Sequence, residues 1–181
     1  SGDDVFQITG SGGSGQPTRK LTVLDYGNGN DVVDLTHMTN LSLQGANALE
    51  VHQGDKTGGV WGPTPMGTED DALVQLSGGS GTQLILQNAY KDGQTLAFKV
   101  TETQAGIGTD LTPFDFLVNI KDEGIVDGSG LDSGAILSGG SGSQTIKTGS
   151  GNDYIQGGGG NDTFVINAVE SQDGRVITIL D

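Results

Sequence analysis

The feature that most constrains this chain is a nine-residue period, unbroken from residue 139 to residue 165. Its units are Gly139-Gly140-Ser141-Gly142-Ser143-Gln144-Thr145-Ile146-Lys147, Thr148-Gly149-Ser150-Gly151-Asn152-Asp153-Tyr154-Ile155-Gln156 and Gly157-Gly158-Gly159-Gly160-Asn161-Asp162-Thr163-Phe164-Val165. Gly holds positions two and four each time, and position eight is apolar: Ile146, Ile155, Phe164. Position six is Asp in the last two units and Gln144 in the first. Glycine at alternate positions lets the backbone turn tightly and aim its carbonyl oxygens inward. The apolar residue two places after the Asp starts a short strand that points into a narrow core.

The unit recurs near the start. Tyr26-Gly27-Asn28-Gly29-Asn30-Asp31-Val32-Val33-Asp34 matches at positions two, four, six and eight, and Gly2-Asp3-Asp4-Val5-Phe6-Gln7-Ile8 matches the tail of a unit. A fainter copy, Leu76-Ser77-Gly78-Gly79-Ser80-Gly81-Thr82-Gln83, parallels Leu137 to Gln144 and likewise has Gln in place of Asp. Those two turns keep the glycines and lose the carboxylate.

Net charge bears on what the repeats hold. The chain carries −15 with only eight basic residues in 181. Nucleic acid and anionic membrane surfaces both demand Lys and Arg patches, so neither is an expected partner. Like charge at this density repels itself, and bound cations are the simplest remedy. Carbonyls and carboxylates are hard oxygen donors, which at high coordination number select calcium. A transition metal wants His or Cys, and the chain has two His and no Cys. A metal-free glycine-rich solenoid is the alternative, and it would stack Asp153 and Asp162 as uncompensated charges.

These units resemble the RTX repeats of secreted bacterial proteins, closely over 139–166 and 26–34, partly over 2–8, and not through most of the middle. The resemblance implies a calcium-filled parallel β-roll whose successive strands alternate between two sheets and which folds after secretion. By motif position it implies side-chain oxygens from Asp4, Asp31, Asp153 and Asp162. Backbone oxygens would come from Gly27, Gly29, Gly149, Gly151, Gly158 and Gly160. Several calcium ions are expected. A further candidate loop, Asp127-Gly128-Ser129-Gly130-Leu131-Asp132, offers Asp127, Ser129 and Asp132 outside the nine-residue register; a solvated acidic turn is its alternative reading.

Between the repeats the period vanishes. Strands are expected over Leu49 to Gln53, Ala72 to Leu76, Gln83 to Ala89, Thr95 to Thr103 and Phe114 to Lys121, with a hairpin turn at Lys91-Asp92-Gly93. No helix is expected. The fold class is all-β: an RTX β-roll frame of residues 1–35 and 127–181, with 36–126 as an inserted, irregular β region. Residues 54–71 form a long Gly/Pro-rich loop around Trp61, a length that in compact domains usually signals function. Trp61 is a candidate ligand platform or a buried plug, and Asp122 and Glu123, just upstream of the Asp127–Asp132 loop, are further candidate ligand-binding residues. No stretch is long enough to span a bilayer. No signal peptide is visible, and the chain opens within a repeat, so it reads as a monomeric module of a longer protein.

Catalysis has little support: there is no Gly-x-Ser-x-Gly elbow, no His-Glu-x-x-His, no phosphate loop and no Cys nucleophile. The layout, repeats flanking an insert, is similar to that of ligand-binding modules of long RTX adhesins at the bacterial surface. That likeness implies capture of a target protein's C-terminal carboxylate by a bound calcium. A calcium-dependent glycan-binding module and a calcium-driven spacer without ligand are the competing readings.

Overall fold

The computed structural model describes residues 2–11, 19–24, 26, 29–43, 49–54, 68, 70–76, 82–89, 95–111, 113–119, 123–168 and 174–180. The chain divides into two compact units, Ser1–Lys91 with Val100–Pro113, and Asp92–Lys99 with Phe114–Asp181. Strands dominate both, and no helix among the described residues is long and apolar enough to cross a membrane.

In the first unit, β1 (Val5–Gln7) pairs in parallel with β4 (Val32–Asp34), and β2 (Gly10–Ser11) with β5 (Met38–Thr39). Phe6 lies opposite Val33 in this register, so the tail of the first partial repeat stacks on the next whole one. A four-stranded sheet runs in the order β3 (Arg19–Val23), β8 (Thr82–Leu86), β7 (Ala72–Gln75), β6 (Glu50–Gln53). β3 joins β8 in parallel, and the other two pairings are antiparallel. β7 is buried along its whole length, which suits the unbroken Ala72-Leu73-Val74 run. Its Gln75 is buried with Gln83 of β8, whose side-chain amide donates to it across 3.2 Å.

One element was not expected. The strand predicted over Thr95 to Thr103 stops at Val100, and a single helical turn, α1 (Glu102–Ala105), follows. Its cause is local. Thr101 and Gln104 form a capping box: the Thr101 hydroxyl accepts from the Gln104 N–H at 3.1 Å, and the Gln104 side-chain oxygen accepts from the Thr101 N–H at 2.9 Å. The Gln104 amide also donates to the carbonyls of Leu35 and Met38, both at 2.9 Å. Gly106 closes the turn in the left-handed conformation at φ 72°. A run of alternating residues therefore lost its last three strand positions to a Thr-x-x-Gln signature. The predicted turn at Lys91-Asp92-Gly93 lies outside the described residues.

The second unit is two sheets filled by turns. One holds β9 (Leu96–Val100), β10 (Phe114–Val118), β12 (Ala135–Ser138), β14 (Asp153–Gln156) and β16 (Ile177–Leu180), in that order. The other holds β11 (Glu123–Asp127), β13 (Ser143–Lys147) and β15 (Thr163–Val165). From β10 onward, consecutive strands go to alternate sheets, and the pairs β10–β12, β12–β14, β14–β16, β11–β13 and β13–β15 are parallel. Tyr154 opposes Ile136 and Thr163 opposes Thr145, so in the pairs β12–β14 and β13–β15 the partners are two nine-residue units apart. The position-eight residues meet between the sheets: Ile146 and Ile155 are fully buried with Val126, Ala135 and Leu137, and Phe164 packs against them. Each such burial is worth roughly 1.5–3 kcal/mol.

Candidate metal centre

The repeat turns stack. The Gly159 N–H donates to the Gly140 carbonyl at 3.0 Å, which sets the turn of residues 157–160 on that of 139–142. The fit depends on missing side chains. Gly158 and Gly160 sit at φ +86° and +97°, where a side chain is strained. A Cβ on Gly158 would stand 2.2 Å from the Gly140 oxygen, and one on Gly160 2.5 Å from the Gly142 oxygen. The same stacking recurs where the Ser150 N–H donates to the Leu131 carbonyl at 3.0 Å.

Each repeat aspartate uses one oxygen to tie its turn to the neighbouring coil. Asp153 Oδ1 accepts from the Ala135 N–H at 3.1 Å, and Asp162 Oδ1 from the Gln144 N–H at 2.9 Å, both eighteen residues back. In the first unit Asp31 Oδ1 accepts from the Asp4 N–H at 2.9 Å. The second oxygen is what differs. Asp31 is buried, and its Oδ2 has no hydrogen-bond partner among the described residues. A buried, unpaired carboxylate oxygen is costly unless a cation meets it. Close by, the Gly2 carbonyl approaches Gly29 so tightly that a Cβ there would lie 1.9 Å from it. A hard, oxygen-seeking cation fits this donor set. Asp162 carries no ion pair among the described residues, and its Oδ2 faces Gly157. The Asp4 side chain is exposed, and Gly27 lies outside the described residues.

The turn that ends in Asp153 is different. Asp153 is 0% exposed, and its Oδ2 accepts from the Gly149 N–H at 3.1 Å and from Arg175 Nη2 at 3.3 Å. The same guanidinium donates to the Gly149 carbonyl at 2.8 Å, the Gly151 carbonyl at 2.7 Å, the Thr148 hydroxyl at 3.1 Å and the Asn167 carbonyl. Burial raises the Asp153 carboxyl above the ordinary range, against the backbone N–H groups and Arg175, which lower it. Gly149, Gly151 and Asp153 are thus brought together as the motif implies, around a side chain that sequence reading passed over. The signal was available: Arg175 is one of two arginines in the chain.

The candidate loop at 127–132 does not converge. Asp127 Oδ1 accepts from the Ser129 N–H at 3.0 Å and its hydroxyl at 2.5 Å, while Oδ2 pairs with Lys147 at 3.0 Å. The Ser129 hydroxyl, then Lys147, hold the Asp127 carboxyl below its usual range. Asp132 turns elsewhere and accepts from the Ser150 hydroxyl at 3.4 Å. Glu123 is exposed at the start of β11; Trp61 and Asp122 lie outside the described residues. No cluster of three or more His, Cys, Asp or Glu side chains is present among the described residues, so the oxygens on offer are mainly backbone carbonyls with one carboxylate per turn.

A family model, the RTX calcium-binding nonapeptide repeat (4 copies), matches residues 138–165. No curated protein and no solved structure matches the chain.

Proposed function

We propose that this chain, whose residues 138–165 carry RTX calcium-binding repeats, is a calcium-folded module of a secreted bacterial RTX protein. The strands of its second unit form a parallel β-roll, and several calcium ions sit between stacked turns. Asp162 with the Gly158 and Gly160 carbonyls would hold one ion, and Asp31 with the Gly29 carbonyl another. Calcium supplies the charge that lets carboxylates pack in register. One observation carries the reading: each repeat Asp commits one oxygen to the neighbouring coil, and Asp31 is left with a buried, unpartnered Oδ2. Metal binding and folding are then one equilibrium. Extracellular calcium modules bind at ~10⁻⁴ to 10⁻³ M. Circular dichroism melts in excess chelator should show the β signal lost or Tm lowered by about 10 °C or more, restored by calcium and not by magnesium. An unchanged melt in chelator would reject this reading. Nothing in it requires catalysis.

A second reading makes the module a ligand-binding part of an RTX adhesin. The four-stranded β3-β8-β7-β6 sheet favours it, because a spacer built of repeats has no need of such a sheet. A partly open calcium would let a chain of charge −15 accept a free carboxylate. A peptide with a free C-terminus should bind in calcium and its amidated twin should not. Binding to a glycan array alone would favour the sugar-binding form, and failure of both would favour the spacer.

A further inference from the structure

We propose that Arg175 is a built-in cation that takes the place of calcium in the turn of residues 148–153, so that this turn is closed to the ion and ordered without it. The inference rests on the calcium reading above and adds to it a turn that the repeat motif would count as a site and the chain fills with its own charge.

The contacts define the substitution. The oxygens that the motif would present to an ion in this turn are the Gly149 and Gly151 carbonyls and the Asp153 carboxylate, and Arg175 binds all three. Nη2 alone lies 2.8 Å from the Gly149 oxygen and 3.3 Å from Asp153 Oδ2. Calcium needs its oxygens at about 2.3–2.6 Å. An ion taking both of those oxygens would compete with the guanidinium that already holds them, so the two cations contend for one set of donors.

The chemistry favours the arginine. A guanidinium is charged at every accessible pH and offers five N–H donors in a planar fork. Here Nε, Nη1 and Nη2 all have acceptors, and the side chain is only 10% exposed. The Asp153 charge is met inside the protein at any calcium concentration. The turn of residues 157–162 offers the corresponding set, Gly158, Gly160 and Asp162, and Asp162 carries no ion pair among the described residues. Arg175 lies two residues before β16, and between them the Val176 N–H donates to Asn152 Oδ1 at 2.8 Å, a second contact that fastens the start of that strand to the repeat.

Calcium stoichiometry tests this, by calorimetric titration of the full 181-residue chain and of single variants. Asp162→Asn should bind less calcium than the wild type, and Asp153→Asn the same amount. Arg175→Gln should bind one more ion, and its Tm should rise with calcium by about 5–10 °C more than the wild-type Tm does. Should Arg175→Gln fail to fold, the Asp153→Asn and Asp162→Asn pair decides alone. If Asp153→Asn loses calcium as Asp162→Asn does, or if folded Arg175→Gln gains none, the substitution is overturned while the calcium reading stands. A wild type that binds no calcium overturns both.

Discussion

The turns ending in Asp153 and Asp162 share the spacing Gly-x-Gly-Asn-Asp, and each aspartate receives a backbone N–H from eighteen residues earlier. One is sealed: Asp153 is wholly buried, and Arg175 lies across its oxygens. The other has the same backbone frame and no basic side chain paired with its carboxylate among the described residues. The nonapeptide therefore specifies a cradle of oxygens and not the cation that fills it. The filling is decided elsewhere in the chain, here by a residue thirteen positions beyond Asp162.

The largest separation of the two turns should come from alanine. Asp153→Ala removes the carboxylate from a buried pair and strands Arg175, a change that typically costs about 3–5 kcal/mol. The remaining carbonyls around Arg175 should keep the loss toward the lower end of that range, and the loss should be the same with and without calcium. Asp162→Ala should destabilise mainly in calcium, through the lost ion, and much less in chelator. Urea unfolding of both variants in the two conditions provides the four numbers. A calcium-dependent loss for Asp153→Ala, equal to that of Asp162→Ala, would erase the difference between the turns.

How far these features could be read from sequence follows from what repeats locally. The strand positions at 143–147, 153–156 and 163–165 fall where position eight places an apolar residue, and the core takes Ile146, Ile155 and Phe164 as that spacing requires. The strand β10 was expected, though not as a partner of the repeats, and β11 was not expected as a strand. Their register explains why: Asp115 opposes Ala135 and Glu123 opposes Ser143, twenty residues on, so each coil is two residues longer than a pair of nonapeptides. A fixed nine-residue ruler misses coils of that length, although the inward Val126 and Leu117 pack on the same core. The capping turn at Thr101–Gln104 was hidden because its helix is four residues long, too short for any helical period to show. Arg175 was hidden for a different reason. Its five acceptors lie between eight and twenty-seven residues away, and no short motif links them.

Asp127 offers a third case that sharpens the contrast, with the smallest expected effect. Its carboxylate has a cation too, Lys147 at 3.0 Å, but the Asp127 side chain is 46% exposed. Solvent screening reduces such a pair to about 0–1 kcal/mol, so Asp127→Asn should cost a few tenths of a kcal/mol. Ser129 and Lys147 lower the Asp127 pKa in the folded chain. The contribution should therefore be fully present above the unfolded carboxyl value and be lost as pH falls through the lower folded value. High salt should shrink the pair's share of it, because an exposed pair is screened where a buried one is not. Calcium stoichiometry should not change in Asp127→Asn, since Oδ1 is held by Ser129 and Oδ2 by Lys147. The unfolding free energy of wild type and variant, followed from pH 7 to pH 3 at two salt concentrations, checks the sign and the size. A loss as large as that of Asp153→Ala, or the loss of a bound calcium, would show that this acidic turn belongs with Asp162 rather than with the internally paired aspartates.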